Sequence, residues 1–302
     1  SKKRQVCVMN KREFLIKLSV MGVPYSIQLS IAEFIERNDR IPNFSETKGF
    51  IEGKSFELER IFQKAFSPEV ERAYRKNVEY AGVATIIDRN YPKALKEIYH
   101  PPVVLYFQGD FELANEPALG VVGSRVHSPY AEDSLKLLLP DVINQGIVIV
   151  SGLAKGIDSI VHQMTMNCCG KTIAVIGTGL DVVYPRGNVM LQNEVAAKGL
   201  LLTEYPLGSQ PLKFHFPQRN RIIAGLVQTI LVVEARHRSG TLITANVALQ
   251  ENRNVLAIPG KITESLSQGT NELIASGAKP ALCSEDIIEE FSNFLTNHIK
   301  LP

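Results

Sequence analysis

From Val83 onward the chain alternates short apolar runs with longer amphipathic stretches, and few architectures accept that alternation. The runs are VATIID (83–88), VVLYFQ (103–108), ALGVVG (118–123), GIVIVSG (146–152), KTIAVIGTG (171–179), GLLLTEY (199–205), QTILVVEA (228–235) and NVLAIPG (254–260). Several are apolar throughout, as strands covered on both faces must be. Between them, 129–144, 156–168, 187–198, 217–226 and 240–251 read as helix, as do 270–277 and 284–296. Strand, helix, strand repeated in this way predicts an α/β, doubly wound, mostly parallel sheet.

The texture before Val83 is different. EFLIKLSVMG, SIQLSIAEFIERN, ELERIFQKAF and PEVERAYRKNVEYAG place apolar residues three and four apart, with Gly22-Val23-Pro24, Ile41-Pro42-Asn43 and Ser67-Pro68 as breakers. The spacing predicts a small all-helical domain over 10–82 and a sheet domain over 83–296. Residues 1–9 are expected to be an extension with little structure, and 297–302 a tail.

The 302 residues suffice for one large and one small domain, and 45% hydrophobic content supports a real core. A net charge of +2 excludes a general polycation, so any anion binding must come from local clusters of Arg and Lys. Apolar runs such as 147–150 and 229–233 are too short to cross a bilayer, and no secretory segment opens the chain. The four cysteines show no metal spacing. Together these predict a cytoplasmic protein with reduced thiols, no metal and no cofactor.

In a doubly wound sheet, ligands gather beyond the C-terminal ends of the strands. Four turns there carry unusual chemistry. Gly123-Ser124-Arg125 offers a tight turn, a hydroxyl that can cap a helix or bond a phosphate, and a cation. Gly152, Lys155 and Gly156 belong to SGLAKGID, where glycine-exposed amides and a helix N-terminus suit an anion. Gly179 is followed by Tyr184-Pro185-Arg186, and Ser239-Gly240-Thr241 opens the helix after EARHR. None of these is a GxGxxG nucleotide fingerprint. Gly170-Lys171-Thr172 resembles the end of a P-loop but opens a strand and lacks the first glycine.

The stretch KFHFPQRNRIIAGL (213–226) adds rings to cations. Lys213, Arg219 and Arg221 can neutralise phosphates, and Phe214 and Phe216 can stack on bases, with one of the two rings expected in the core. Asn220 can brace the loop, while Ile222, Ile223 and Leu226 form the inner helix face. Asp158 and His162, four apart, imitate a catalytic pair, but a structural hydrogen bond is the simpler role. Glu234, at a strand end, can pair with an arginine or serve an enzyme as base.

These residues carry a resemblance. VVGSR (121–125), SGLAKGID (151–158), GTGLDVVYPRGN (177–188), FPQRNRIIAGL (216–226), EARHRSGTLITA (234–245) and AIPG (257–260) look like the DNA-processing protein A (DprA/Smf) family. The resemblance runs from about 83 to 290, and residues 10–82 match only the position of a sterile-alpha-motif-like domain. It implies a Rossmann-like domain that binds single-stranded DNA without sequence preference. It further implies loading of the RecA recombinase in natural transformation, a working homodimer and no catalysis. Arg125 and Arg186 match the family's DNA-contacting cations, and Lys213, Phe214, Arg219 and Arg221 belong to the same pocket. Residues around Leu266, Leu273 and Ile274 correspond to its self-association and RecA region. The competing expectation is a Rossmann-like enzyme that binds nucleotides or cleaves their phosphoribosyl bonds.

Overall fold

The computed structural model describes residues 9–47 and 55–295. Residues 1–8 of the expected extension at 1–9 and the tail at 297–302 lie outside the described residues, while Met9 is described and buried. Contacts divide the chain into two compact units, Ser1–Tyr91 with Pro102–Tyr106 and Glu204–Pro206, and Pro92–Pro101 with Phe107–Thr203 and Leu207–Pro302.

The first unit holds helices Lys11–Val20 (α1), Tyr25–Asn38 (α2), Phe44–Thr47 (α3), Ser55–Ala65 (α4) and Pro68–Tyr80 (α5), then strand Gly82–Thr85 (β1). Short polar residues set the helix starts. The Asn10 side chain accepts from Glu13 N, and Ser67 caps α5 just before Pro68, whose fixed φ suits a first turn. Lys17 of α1 is only 3% exposed. Glu13 and Glu71 each bind its ammonium at 2.7 Å, and it lies 5.5 Å from the Tyr74 ring centre. Burial pulls the Lys17 pKa down, but the two carboxylates outweigh it and hold the value above the ordinary one.

In the second unit the elements follow the sequence pattern. Strand Val104–Gly109 (β2) belongs to both units, and helix Lys93–Lys96 (α6) precedes it. Then come Ala118–Val122 (β3), Pro129–Asn144 (α7), Val148–Ser151 (β4), Ile157–Asn167 (α8), Thr172–Val175 (β5), Val189–Lys198 (α9) and Leu200–Thr203 (β6). His215–Leu226 (α10), Thr229–Val232 (β7), Gly240–Gln250 (α11), Asn254–Ala257 (β8), Gln268–Ala275 (α12), Lys279–Pro280 (β9), Ser284–Ile288 (α13) and Ser292–Leu295 (α14) complete it. Helix α10 starts two residues before the expected 217, because Pro217 needs no backbone donor in a first turn.

Strand order in this unit is β6-β5-β4-β3-β7-β8-β9. Neighbours pair in parallel, with Leu119 opposite Ile149 and Thr229, Ile149 opposite Thr172, and Val232 opposite Ala257. Successive strands step outward from β3 to β6, then the chain returns to the other side of β3 for β7. That reversal between β3 and β7 is the switch point at which such sheets open a crevice. Leu119, Val121, Ile149 and Leu231 form one buried face with Leu135 and Leu139 of α7 and Val161 of α8. Alternate residues such as Val150 and Val232 are fully buried as well, so the strands are covered on both faces.

His162 of α8 is fully buried and shares a 2.7 Å hydrogen bond with the Thr172 hydroxyl, not with Asp158. Thr172 donates to Ile149 O at 2.8 Å, so the imidazole must donate through Nδ1. Its Nε2 is buried without a hydrogen-bond partner. Burial, helped by the Arg219 charge, pushes the His162 pKa down to about 3. The unfolded chain takes up a proton near pH 6.5 that the native state refuses. This stability is therefore present above pH 6.5 and is lost as pH falls from there towards 3. Between pH 7 and 5 the loss is about 2 kcal/mol. Urea midpoints at both pH values should fall less for His162→Gln than for the native chain; equal falls would refute the assignment.

Candidate nucleic-acid interface

The C-terminal ends of β3, β4 and β5 and the start of α10 meet at one rim. Helix α10 supplies donors to the carbonyls at the ends of β4 and β5. The Arg219 guanidinium, 5% exposed, donates through Nη1 to Gly152 O and Val175 O, and its Nε donates to Asn220 Oδ1 at 3.1 Å. His215 shares a 2.9 Å bond between Nδ1 and Gly177 O. Gly152 is glycine because any Cβ there would collide with the Arg219 guanidinium. Gly156 has φ +79° and presses on the Ser124 and Arg125 backbone, where a side chain has no room. Ile157 N donates to Ser124 O at 3.2 Å, joining the first two glycine turns.

Two cavities open on this frame. The larger, about 690 Å³, is lined by Gly123, Ser124, Arg125, Lys213, Arg219, Asn220, Ser239 and Gly240. Asp158, Tyr184, Phe216, Arg236 and Thr241 also line it. The smaller, about 240 Å³, is lined by Gly152, Lys155, Gly177 and Thr178. Arg125, Ala154, Tyr184, Phe216 and Arg219 border both cavities. At that shared border the Tyr184 and Phe216 ring centres stand 5.3 Å apart, and the Arg125 guanidinium lies 5.9 Å from the Phe216 ring centre. Ser239 caps α11 by position, yet its hydroxyl makes no cap bond and is buried without a partner.

The charge balance of the rim is one-sided. Arg125, Lys155, Lys213 and Arg236 are exposed, and among the described residues none makes an ion pair. The lining carboxylate of the larger cavity is Asp158, 7% exposed. Burial pushes its carboxyl above the ordinary value, against the Arg219 charge and the Ala154 and Gly152 amides. An uncompensated set of cations around a concave, ring-lined surface attracts polyanions.

The structure sorts the other expected residues. Arg186 is exposed and directly follows Pro185, which lines the smaller cavity. Gly156 buttresses the rim from behind. Gly179, Phe214 and Arg221 line neither cavity. Phe214 is 57% exposed and packs edge-on against His215, while Phe216 lines both cavities. Tyr184 and Arg236 complete the lining although no sequence argument selected them as site residues. Glu234 lines neither of these cavities and makes no ion pair with the cations, and its carboxylate accepts from Ser128 N at 3.0 Å and from the Ser128 hydroxyl. Among the described residues no group of three His, Cys, Asp or Glu side chains could hold a metal, and no helix is long and apolar enough to cross a membrane.

Residues 82–292 match the family described as DNA recombination-mediator protein A. The chain is 41% identical over 280 residues to the DNA processing protein DprA of Streptococcus pneumoniae, covering 92% of this chain and 97% of that protein. It is 40% identical over 237 residues to DprA of Bacillus subtilis, covering 78% of each. The X-ray structure of S. pneumoniae DprA superposes with a TM-score of 0.86 at 40% identity, over 94% of this chain and 99% of that one. DNA processing protein A of Helicobacter pylori, described for its single-stranded DNA binding mode, superposes with a TM-score of 0.63 at 31% identity. That match covers 71% of this chain and 96% of the other.

Proposed function

The chain belongs to the DNA recombination-mediator protein A family, and from that premise we propose that it binds single-stranded DNA along the paired cavities, without sequence preference. The observation that carries this reading is the ring of unpaired cations around a surface where Tyr184 and Phe216 stand together. Arg125, Lys155, Lys213 and Arg236 bind phosphates, which positions a strand without reading it. Tyr184 and Phe216 stack on bases, and stacking contributes about 1–3 kcal/mol per base whatever the base is. The backbone amides of Ser124 and Gly240, with the Ser239 hydroxyl, donate to further phosphate oxygens. Arg186 extends the track past Pro185.

The protein protects the incoming strand and passes it to RecA during natural transformation, working in the cytoplasm as a homodimer through residues around Leu266, Leu273 and Ile274. No bond is made or broken, so no residue is assigned a catalytic role. The enzyme reading is disfavoured by the placement of Glu234, which lines neither of these cavities, and of Asp158, which is buried beside Arg219. The similarity to the H. pylori protein supports strand binding.

The test is the salt dependence of binding to a labelled oligothymidylate. Three to five neutralised phosphates give a log–log slope of about −2 to −3.5, at about 0.7 per phosphate. An equal affinity for duplex and single strand, or a slope near zero, would overturn the reading. Stabilisation by a mononucleotide but not by an oligonucleotide would restore the enzyme.

A further inference from the structure

A third cavity, about 690 Å³, opens beside β7 and β8, and the Ser128–Glu234 contact is part of its lining. Its floor is Glu234, 2% exposed. Its walls are Pro129, Tyr130, Pro259 and Leu266, with Lys261 and Glu264 at the mouth. The Tyr130 hydroxyl donates to Pro259 O at 2.6 Å, which fixes the ring as a wall. Among the described residues Glu234 has no Lys, Arg or His nitrogen within ion-pair reach, and Lys261 and Glu264 are equally unpaired.

A buried carboxylate is ordinarily paired. Ser128 supplies one hydrogen bond to each Glu234 oxygen, and each oxygen keeps a second lone-pair site. Two acceptors on one carboxylate match the planar fork of a guanidinium, or the point charge of an ammonium. The apolar walls suit a short aliphatic stem, and at the mouth the Glu264 carboxylate offsets the Lys261 charge. Lys261 is the lining cation, and it makes no ion pair with Glu234, which leaves the buried carboxylate uncompensated.

We propose that this cavity binds the guanidinium or ammonium head of a cation carried on a short apolar stem. The head sits on Glu234 and the stem lies between Tyr130 and Leu266. Free basic metabolites and the arginine or lysine side chain of a partner polypeptide share this chemistry. The proposal stands apart from strand binding and does not depend on it.

Calorimetric titration at fixed ionic strength, with butylguanidinium as the probe and butylurea as its neutral isostere, tests this. Saturable binding of butylguanidinium at millimolar concentration or tighter is expected, with butylurea at least about tenfold weaker. Glu234→Gln should abolish the binding, and Glu264→Gln should weaken it severalfold. If Glu234→Gln does not fold, the Glu264→Gln variant and the isostere decide. A capped Gly-Arg-Gly peptide that binds tighter than butylguanidinium assigns a protein side chain, and equal or weaker binding assigns a small molecule. Equal binding of the two probes, no saturable binding of either, or indifference to both substitutions overturns the proposal.

Discussion

Reversing Arg125 and Lys213 together, as Arg125→Glu and Lys213→Glu, should lower affinity for a single strand by about a hundredfold or more at low salt. Both side chains are exposed, line the same cavity and have no ion-pair partner among the described residues. A hydrogen bond to a charged group is worth about 1.5–3 kcal/mol, and about 1.4 kcal/mol is a factor of ten. Two lost contacts therefore cost about two to four decades before the added repulsion is counted. Losing two phosphates should also flatten the log–log salt slope by about 1.4. Stability should hardly change, because substitutions of exposed residues without partners rarely matter to folding. Fluorescence anisotropy across a salt series measures affinity and slope, and thermal unfolding measures stability. A double variant that binds with native affinity and slope ends the assignment of these two cations to the strand.

The sheet could be read from the sequence because its strands are covered on both faces. Runs such as ILVV at 230–233 and IVIV at 147–150 leave no polar face, and few residues can stand there by accident. The rim was also legible at Gly123-Ser124-Arg125, where glycine, hydroxyl and cation coincide. Which ring faces the cavity was not. Phe214 and Phe216 alternate like strand residues, but α10 begins at His215, and helical phase then decides. Phe214 stays outside while Phe216 turns inward. Tyr184 was hidden because its turn places it against Phe216, 32 residues on, and only tertiary structure brings them together. Burial of Arg219 was equally invisible: its neighbours Asn220 and Arg221 read as the same polar cluster. What separates them is the pair of strand-end carbonyls that Arg219 reaches.

That burial leads to the other large effect. Arg219→Met should destabilise the fold by about 3–5 kcal/mol, the cost of removing one member of a buried charged network. Its guanidinium spans Gly152 O and Val175 O, tying the ends of β4 and β5 to α10. Methionine fills similar space but leaves both carbonyls buried without a donor. It also removes the cation that opposes the upward shift of the Asp158 carboxyl, so Asp158 should protonate at still higher pH. Arg219→Lys should recover only part of the loss, because an ammonium is a point charge and cannot reproduce the planar fork. Urea unfolding at neutral pH reads the loss as a shift in midpoint. Strand affinity, measured well below the unfolding transition, should fall much less than in Arg125→Glu, since Arg219 acts by holding the two turns in place. If the midpoint stays put while affinity collapses, the guanidinium contacts the strand itself and the division between frame and surface is wrong.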